Sequence, residues 1–153
     1  MAHGKSQTRQ AVQLRLGDAA VDGLIDGALA GLAMALWLVL IDWLSGGTPL
    51  AVLTGFDLEQ WSSPLRGLLL HLTLAAIYGA IFSVARRAIV RQRSINRWAS
   101  SAIGLAYGLL LWLIGPVVLA TGVAALLHAV VPIEFFIAHV IYGISLGLLS
   151  SRR

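Results

Sequence analysis

The chain has 153 residues, 58% of them hydrophobic and 12% charged, with no cysteine and a formal net charge of +4. A soluble domain carries roughly 25% charged residues, so a water-soluble globular fold is excluded. The lack of cysteine excludes disulfides, thiolate metal sites, iron–sulfur clusters and cysteine nucleophiles. What remains is an all-α polytopic membrane protein, with residues 1–153 as a single membrane domain.

Residues 1–20 read as a cytoplasmic N-terminal segment carrying Lys5, Arg9 and Arg15. A bilayer-spanning helix needs about 20 largely apolar residues. The first such run is Leu24–Leu44, and it continues into Asp42-Trp43 without a small-residue cleavage site, so it is a retained span rather than a signal peptide. Asp18, Asp22 and Asp26 precede or open it four apart, on one helical face. Their plainest role is to favour the positive end of the helix dipole and to pair with arginines such as Arg86 or Arg87; a proton or cation role for the intramembrane Asp26 is the alternative.

Gly46-Gly47, Pro49 and Pro64 punctuate the next connection, with Leu50–Trp61 between them as a short interfacial segment. Leu65–Ala85 forms the second span. Ala99–Ala120 forms the third, with a kink expected at Gly115-Pro116. Gly122–Pro132 is a second apolar connection, and Ile133–Leu149 is the fourth span.

Ten of the 11 basic residues fall on one side of this arrangement: Lys5, Arg9, Arg15, Arg86, Arg87, Arg91, Arg93, Arg97, Arg152 and Arg153. Arg66 lies on the other side with Asp57, Glu59 and Glu134. The positive-inside rule then places both termini and the middle loop in the cytoplasm of a bacterium, with the bilayer as the first partner. This asymmetry accounts for the arginines without nucleic acid, and no separate feature points to a nucleic-acid partner.

The chain reads as two parallel two-helix hairpin repeats. Leu74–Gly79 in span two parallels Ala138–Gly143 in span four, with Tyr78-Gly79 matching Tyr142-Gly143. Leu36-Trp37-Leu38 in span one parallels Leu111-Trp112-Leu113 in span three, although the glycines prefer a register two residues different. Each span also carries small residues four apart: Gly23, Gly27 and Gly31; Ala75, Gly79 and Ser83; Gly104 and Gly108; Gly143 and Gly147. Small residues let helix backbones approach closely in lipid. They serve either packing within the bundle or, on span one, a homodimer seam.

The remaining polar candidates lie in the outer half. His71 and His139 each precede the cytoplasmic arginines by about 20 Å of helix, and each heads a stripe with a tyrosine and glycines. Tyr78 and Tyr142 are the polar intramembrane members of those stripes. Each histidine is either a buried ring bonded to a carbonyl or tyrosine, or one of a pair that ligates a b-type haem or handles a metal or proton. Asp42 either accepts from His71, His139 or His128, or reaches interfacial water. No HExxH, GxSxG, P-loop or dinucleotide fingerprint is present, and Ser62-Ser63 and Ser100-Ser101 read as turn or helix-start residues. No catalytic residue and no metal site is therefore assigned.

The motifs Ala138-His139…Tyr142-Gly143…Gly147, Gly104…Tyr107-Gly108…Trp112…Gly115-Pro116, and Leu70-His71…Tyr78-Gly79 resemble the closing, third and second helices of the YagU-like bacterial inner-membrane proteins. That resemblance covers about the last 90 residues and implies a four-helix inner-membrane protein with no established activity. The expected function is non-enzymatic: a small integral protein acting through helix–helix packing, as a homo-oligomer or an accessory subunit, with no cofactor. The alternative is a haem- or metal-binding electron carrier, or a proton or cation translocator, built on His71, His139 and Asp42.

Overall fold

The computed structural model describes residues 2–56, 63–90, 96–119 and 132–152, and the side chains of all of these but 2–15, 90, 115–119 and 132. Among the described residues five helices follow in order: α1 (Ala2–Leu44), α2 (Pro49–Gly55), α3 (Pro64–Val90), α4 (Arg97–Leu119) and α5 (Pro132–Ser150). Among the described residues no strand occurs. Four of the helices, all but α2, are long and apolar enough to cross a membrane, over Leu16–Leu44, Pro64–Ile89, Arg97–Ile114 and Ile133–Ser150. The protein is a four-helix membrane protein.

The helix ends follow from local chemistry. α1 closes where Gly46 adopts φ +89°, a conformation that costs little without a Cβ. The amides of Gly46 and Gly47 then return to the carbonyls of Trp43 and Asp42, which satisfies two of the last orphan acceptors. Proline opens α2, α3 and α5, at the first helical position where its missing N–H costs nothing. Asn96 caps α4, its Oδ1 accepting from the Ala99 amide at 2.8 Å.

Two features go beyond the sequence expectation, the N-terminal reach of α1 and the packing of α2. α1 begins at Ala2 rather than Leu24, because no proline interrupts residues 2–44 and polarity alone does not end a helix. At 43 residues it runs ~65 Å, about twice the hydrocarbon thickness. α4 runs through Gly115-Pro116 to Leu119, as the expected third span does. In the first outer connection Val52 and Phe56 pack against the core, so the α2 segment covers one end of the bundle. Residues 57–62 of that connection, Ala120 and residues 121–131 with His128 lie outside the described residues.

Helix packing divides into two hairpins. α1 packs most extensively on α3, and α4 on α5, while α1 also lies along α5. Each hairpin closes on a glycine seam. A Cβ on Gly23 would meet the Gly79 carbonyl, and one on Gly27 the Ala75 carbonyl and the Gly79 backbone. In the second hairpin a Cβ on Gly104 would meet the Gly143 carbonyl, and one on Gly108 the His139 carbonyl and the Gly143 backbone. Gly23 and Gly27 thus occupy the places of Gly104 and Gly108, as Gly79 does of Gly143. That register differs from the one the Leu-Trp-Leu triplets suggest, because backbone contact at the glycines sets the alignment. The core inside the hairpins comes from α1 (Ala30, Met34, Leu38), α3 (Ala75, Phe82) and α5 (Ala138, Tyr142, Leu146), with Tyr107 and Leu111 of α4 packed against it.

Candidate functional site

The polar side chains of the interior form three layers along the bundle. At the end that carries Arg86 and Arg87, one residue from each long helix meets. Arg86 Nη1 of α3 donates to Ser100 Oγ of α4 at 3.3 Å, and its Nη2 donates to the Ser150 carbonyl of α5 at 2.6 Å. Ser100 Oγ donates to the Gly147 carbonyl at 2.7 Å, and Ser150 Oγ donates to Asp26 Oδ2 of α1 at 3.4 Å. Asp26, Ser100 and Ser150 are buried. Arg86 therefore sits on the negative C-terminal end of α5 with Asp26 as an electrostatic neighbour. A guanidinium with a rigid fork of donors suits such a junction, where several acceptors converge from different helices.

The middle layer consists of two tyrosines that bond across helices. Tyr142 donates to the Ala75 carbonyl at 2.7 Å, and Tyr107 donates to the Tyr78 carbonyl at 2.9 Å. Tyr107 also lies against Phe82, with ring centroids 5.2 Å apart. Both carbonyls already belong to the α3 ladder, so each tyrosine uses the second lone pair of a helical oxygen.

The third layer holds the histidines. His71 Nε2 donates to the Gly31 carbonyl of α1 at 3.0 Å, and its ring stacks on Phe56 at 4.5 Å. His139 Nδ1 donates to the Phe135 carbonyl one turn back at 2.9 Å, with the Phe135 ring edge-on at 4.3 Å. A carbonyl only accepts, so these bonds place the proton on Nε2 of His71 and on Nδ1 of His139. The buried Trp37 Nε1 and Asp42 Oδ2 make no hydrogen bond among the described residues.

Asp26 accepts from Ser150 at the Arg86 junction, and because α1 begins at Ala2 it lies deep inside the helix, so the expected helix-dipole role at a first turn does not hold. Tyr142 is an interior bonding residue, whereas Tyr78 contributes its carbonyl and leaves its side chain 38% exposed. Gly23, Gly27, Gly31 and Gly79 close the first hairpin, and Gly104, Gly108, Gly143 and Gly147 close the second, so the α1 glycines face α3. His71 and His139 bond to Gly31 and Phe135 rather than to Asp42, whose carboxylate instead fills the space where a Gly47 side chain would stand. Relative to the glycine seams the histidines are one turn apart: His71 falls where Phe135 lies, and His139 where Ala75 lies. Among the described residues no group of three histidine, aspartate or glutamate side chains could hold a metal ion.

Sequence reasoning missed Ser100 and Ser150 as buried bonding residues and Tyr107 as a half-buried one. Ser100 stands in the first turn of α4 as expected, but it also extends the four-residue stripe of Gly104 and Gly108, which was the available clue. No protein-family model, curated protein or solved structure matches the chain.

Proposed function

We propose that this chain is a bacterial inner-membrane protein with both termini and the α3–α4 connection in the cytoplasm, built from two copies of one helix hairpin. It works without catalysis, through helix–helix contacts, as a homo-oligomer or as an accessory subunit of a larger membrane complex. The observation that carries this reading is where the interior polar groups direct their bonds. Tyr142, Tyr107, Ser100, His71 and Arg86 all donate to carbonyls of neighbouring helices. A carbonyl in a helix ladder neither takes nor passes a proton, so these bonds fix geometry. The outward surfaces are apolar, with Leu36, Ile81, Leu113 and Leu148 among the exposed side chains, and they offer van der Waals contact to another helix.

A second reading rests on the outer layer. Asp42 Oδ2 and Trp37 Nε1 are buried without a partner among the described residues, and His139 commits only Nδ1 to a described residue. Buried polar atoms without partners call for an explanation such as a water, ion or ligand. This supports a proton, metal or b-type haem role for His71, His139 and Asp42. Isolation of the full chain in mild detergent separates the two, by its co-isolating chains, its oxidised and reduced absorbance spectra and its metal content. The first reading expects a colourless, metal-free protein associated with itself or another membrane chain. A Soret band that sharpens on reduction, or stoichiometric metal, overturns it in favour of the second.

A further inference from the structure

The two hairpins meet along two lines, and the lines differ. Along the first, α1 lies on α5. Asp26, Ala30, Met34 and Leu38 are buried and four apart on α1, and Ser150, Leu146, Tyr142 and Ala138 are buried and four apart on α5 in the opposite direction. The Ser150–Asp26 bond sets their register, so the two stripes pair from end to end. The alanines keep this contact close.

The glycine seams superpose one hairpin on the other and so define what the second line contains. With Gly27 on Gly108, Asp26 falls on Tyr107 and Ala30 on Leu111. With Gly143 on Gly79, Ser150 falls on Arg86, Leu146 on Phe82 and Tyr142 on Tyr78. Where Asp26, Ala30 and Ser150 stand on the α1–α5 line, the α3–α4 line has the larger Tyr107, Leu111 and Arg86. Bulk at these positions holds the backbones apart, and α3 with α4 is not one of the closely packed helix pairs among the described residues. Side chains span the gap instead: Tyr107 to the Tyr78 carbonyl at 2.9 Å, Tyr107 against Phe82, and Arg86 to Ser100 at 3.3 Å. The corresponding tyrosines record the asymmetry, with Tyr142 2% exposed and Tyr78 38%.

The geometry points to a hinged bundle. The two glycine-seamed hairpins move as rigid bodies, the α1–α5 line is the hinge, and the α3–α4 side is a lateral slot that Tyr107 and Arg86 hold shut, with the Tyr142–Ala75 bond behind them. Opening breaks the Tyr142–Ala75 bond and releases the end of α5 from its guanidinium cap. The device stands whatever the protein binds, since it follows from the packing within one chain.

A chain without cysteine allows a clean distance measurement. Spin labels on Ile81→Cys and Ile103→Cys, both exposed, report across α3 and α4 in the full chain in lipid nanodiscs. Labels on Leu29→Cys and Ile144→Cys report across α1 and α5. Tyr107→Phe, which keeps the ring, and Arg86→Gln are made singly and together. The expected result is a longer and broader distance distribution across α3 and α4, largest in the double variant, with the distribution across α1 and α5 unchanged. An unchanged α3–α4 distribution in the double variant overturns the hinge. So does a parallel broadening of both pairs, which would mean that the whole bundle loosens.

Discussion

The hydroxyl of Tyr142 lies 2.7 Å from the Ala75 carbonyl, an oxygen its own helix already uses. In lipid a lost interhelical bond averages about 0.6 kcal/mol and reaches about 1.7, since the unfolded chain finds other partners. Tyr142→Phe therefore lowers resistance to unfolding in mixed detergent micelles by about that amount and leaves the α-helix content intact. A cost several times larger would show that the hydroxyl does more than join α5 to α3. The intramembrane ionisable groups were legible one at a time in the sequence, because charge at membrane depth is conspicuous. Their partners were not. Nothing in the chain from Arg86 to Ser150 announces that a guanidinium will meet a carbonyl at the end of α5, and serines carry no charge to draw attention to them. His71 and His139 look alike as residues before a tyrosine and a glycine, yet one bonds across to α1 and the other back along its own helix.

At the scale of elements, the spacing of small residues determined more than any motif did. Gly27 has no room for a side chain, since a Cβ there would press on the Ala75 carbonyl and the Gly79 backbone. Gly17, on the same helix, has nothing within 4 Å. Gly27→Leu should separate α1 from α3 and abolish the folded bundle, whereas Gly17→Ala should be neutral or gain up to about 1 kcal/mol from helix propensity. Near-ultraviolet circular dichroism and thermal unfolding of the two variants check this. Equal tolerance at both positions would mean that the seam is not the contact that closes the hairpin. The spans themselves were legible because about 20 apolar residues have few other uses. The register between the hairpins was not, since Leu-Trp-Leu triplets recur for their apolar bulk while the alignment follows backbone approach at glycines. The start of α1 was hidden for a related reason: hydropathy locates the part of a helix inside the membrane and is silent about its continuation in water.

For the molecule as a whole, the four long helices and one short one among the described residues leave apolar surface outward, and the bonds of three layers hold the helices to one another. The core draws on α1, α3 and α5, with α4 attached through its seam with α5 and through the side chains that cross to α3. The proposed role places its interactions on these outer faces. The most direct measurement is photo-crosslinking in intact membranes, with a photoreactive amino acid placed singly at Leu36, Ile81, Leu113 and Leu148, one on each long helix and all exposed. A role through helix contacts predicts a discrete adduct at one or more of these positions, with a second copy of the chain or with another membrane protein. Crosslinking to lipid alone at all four positions would contradict it.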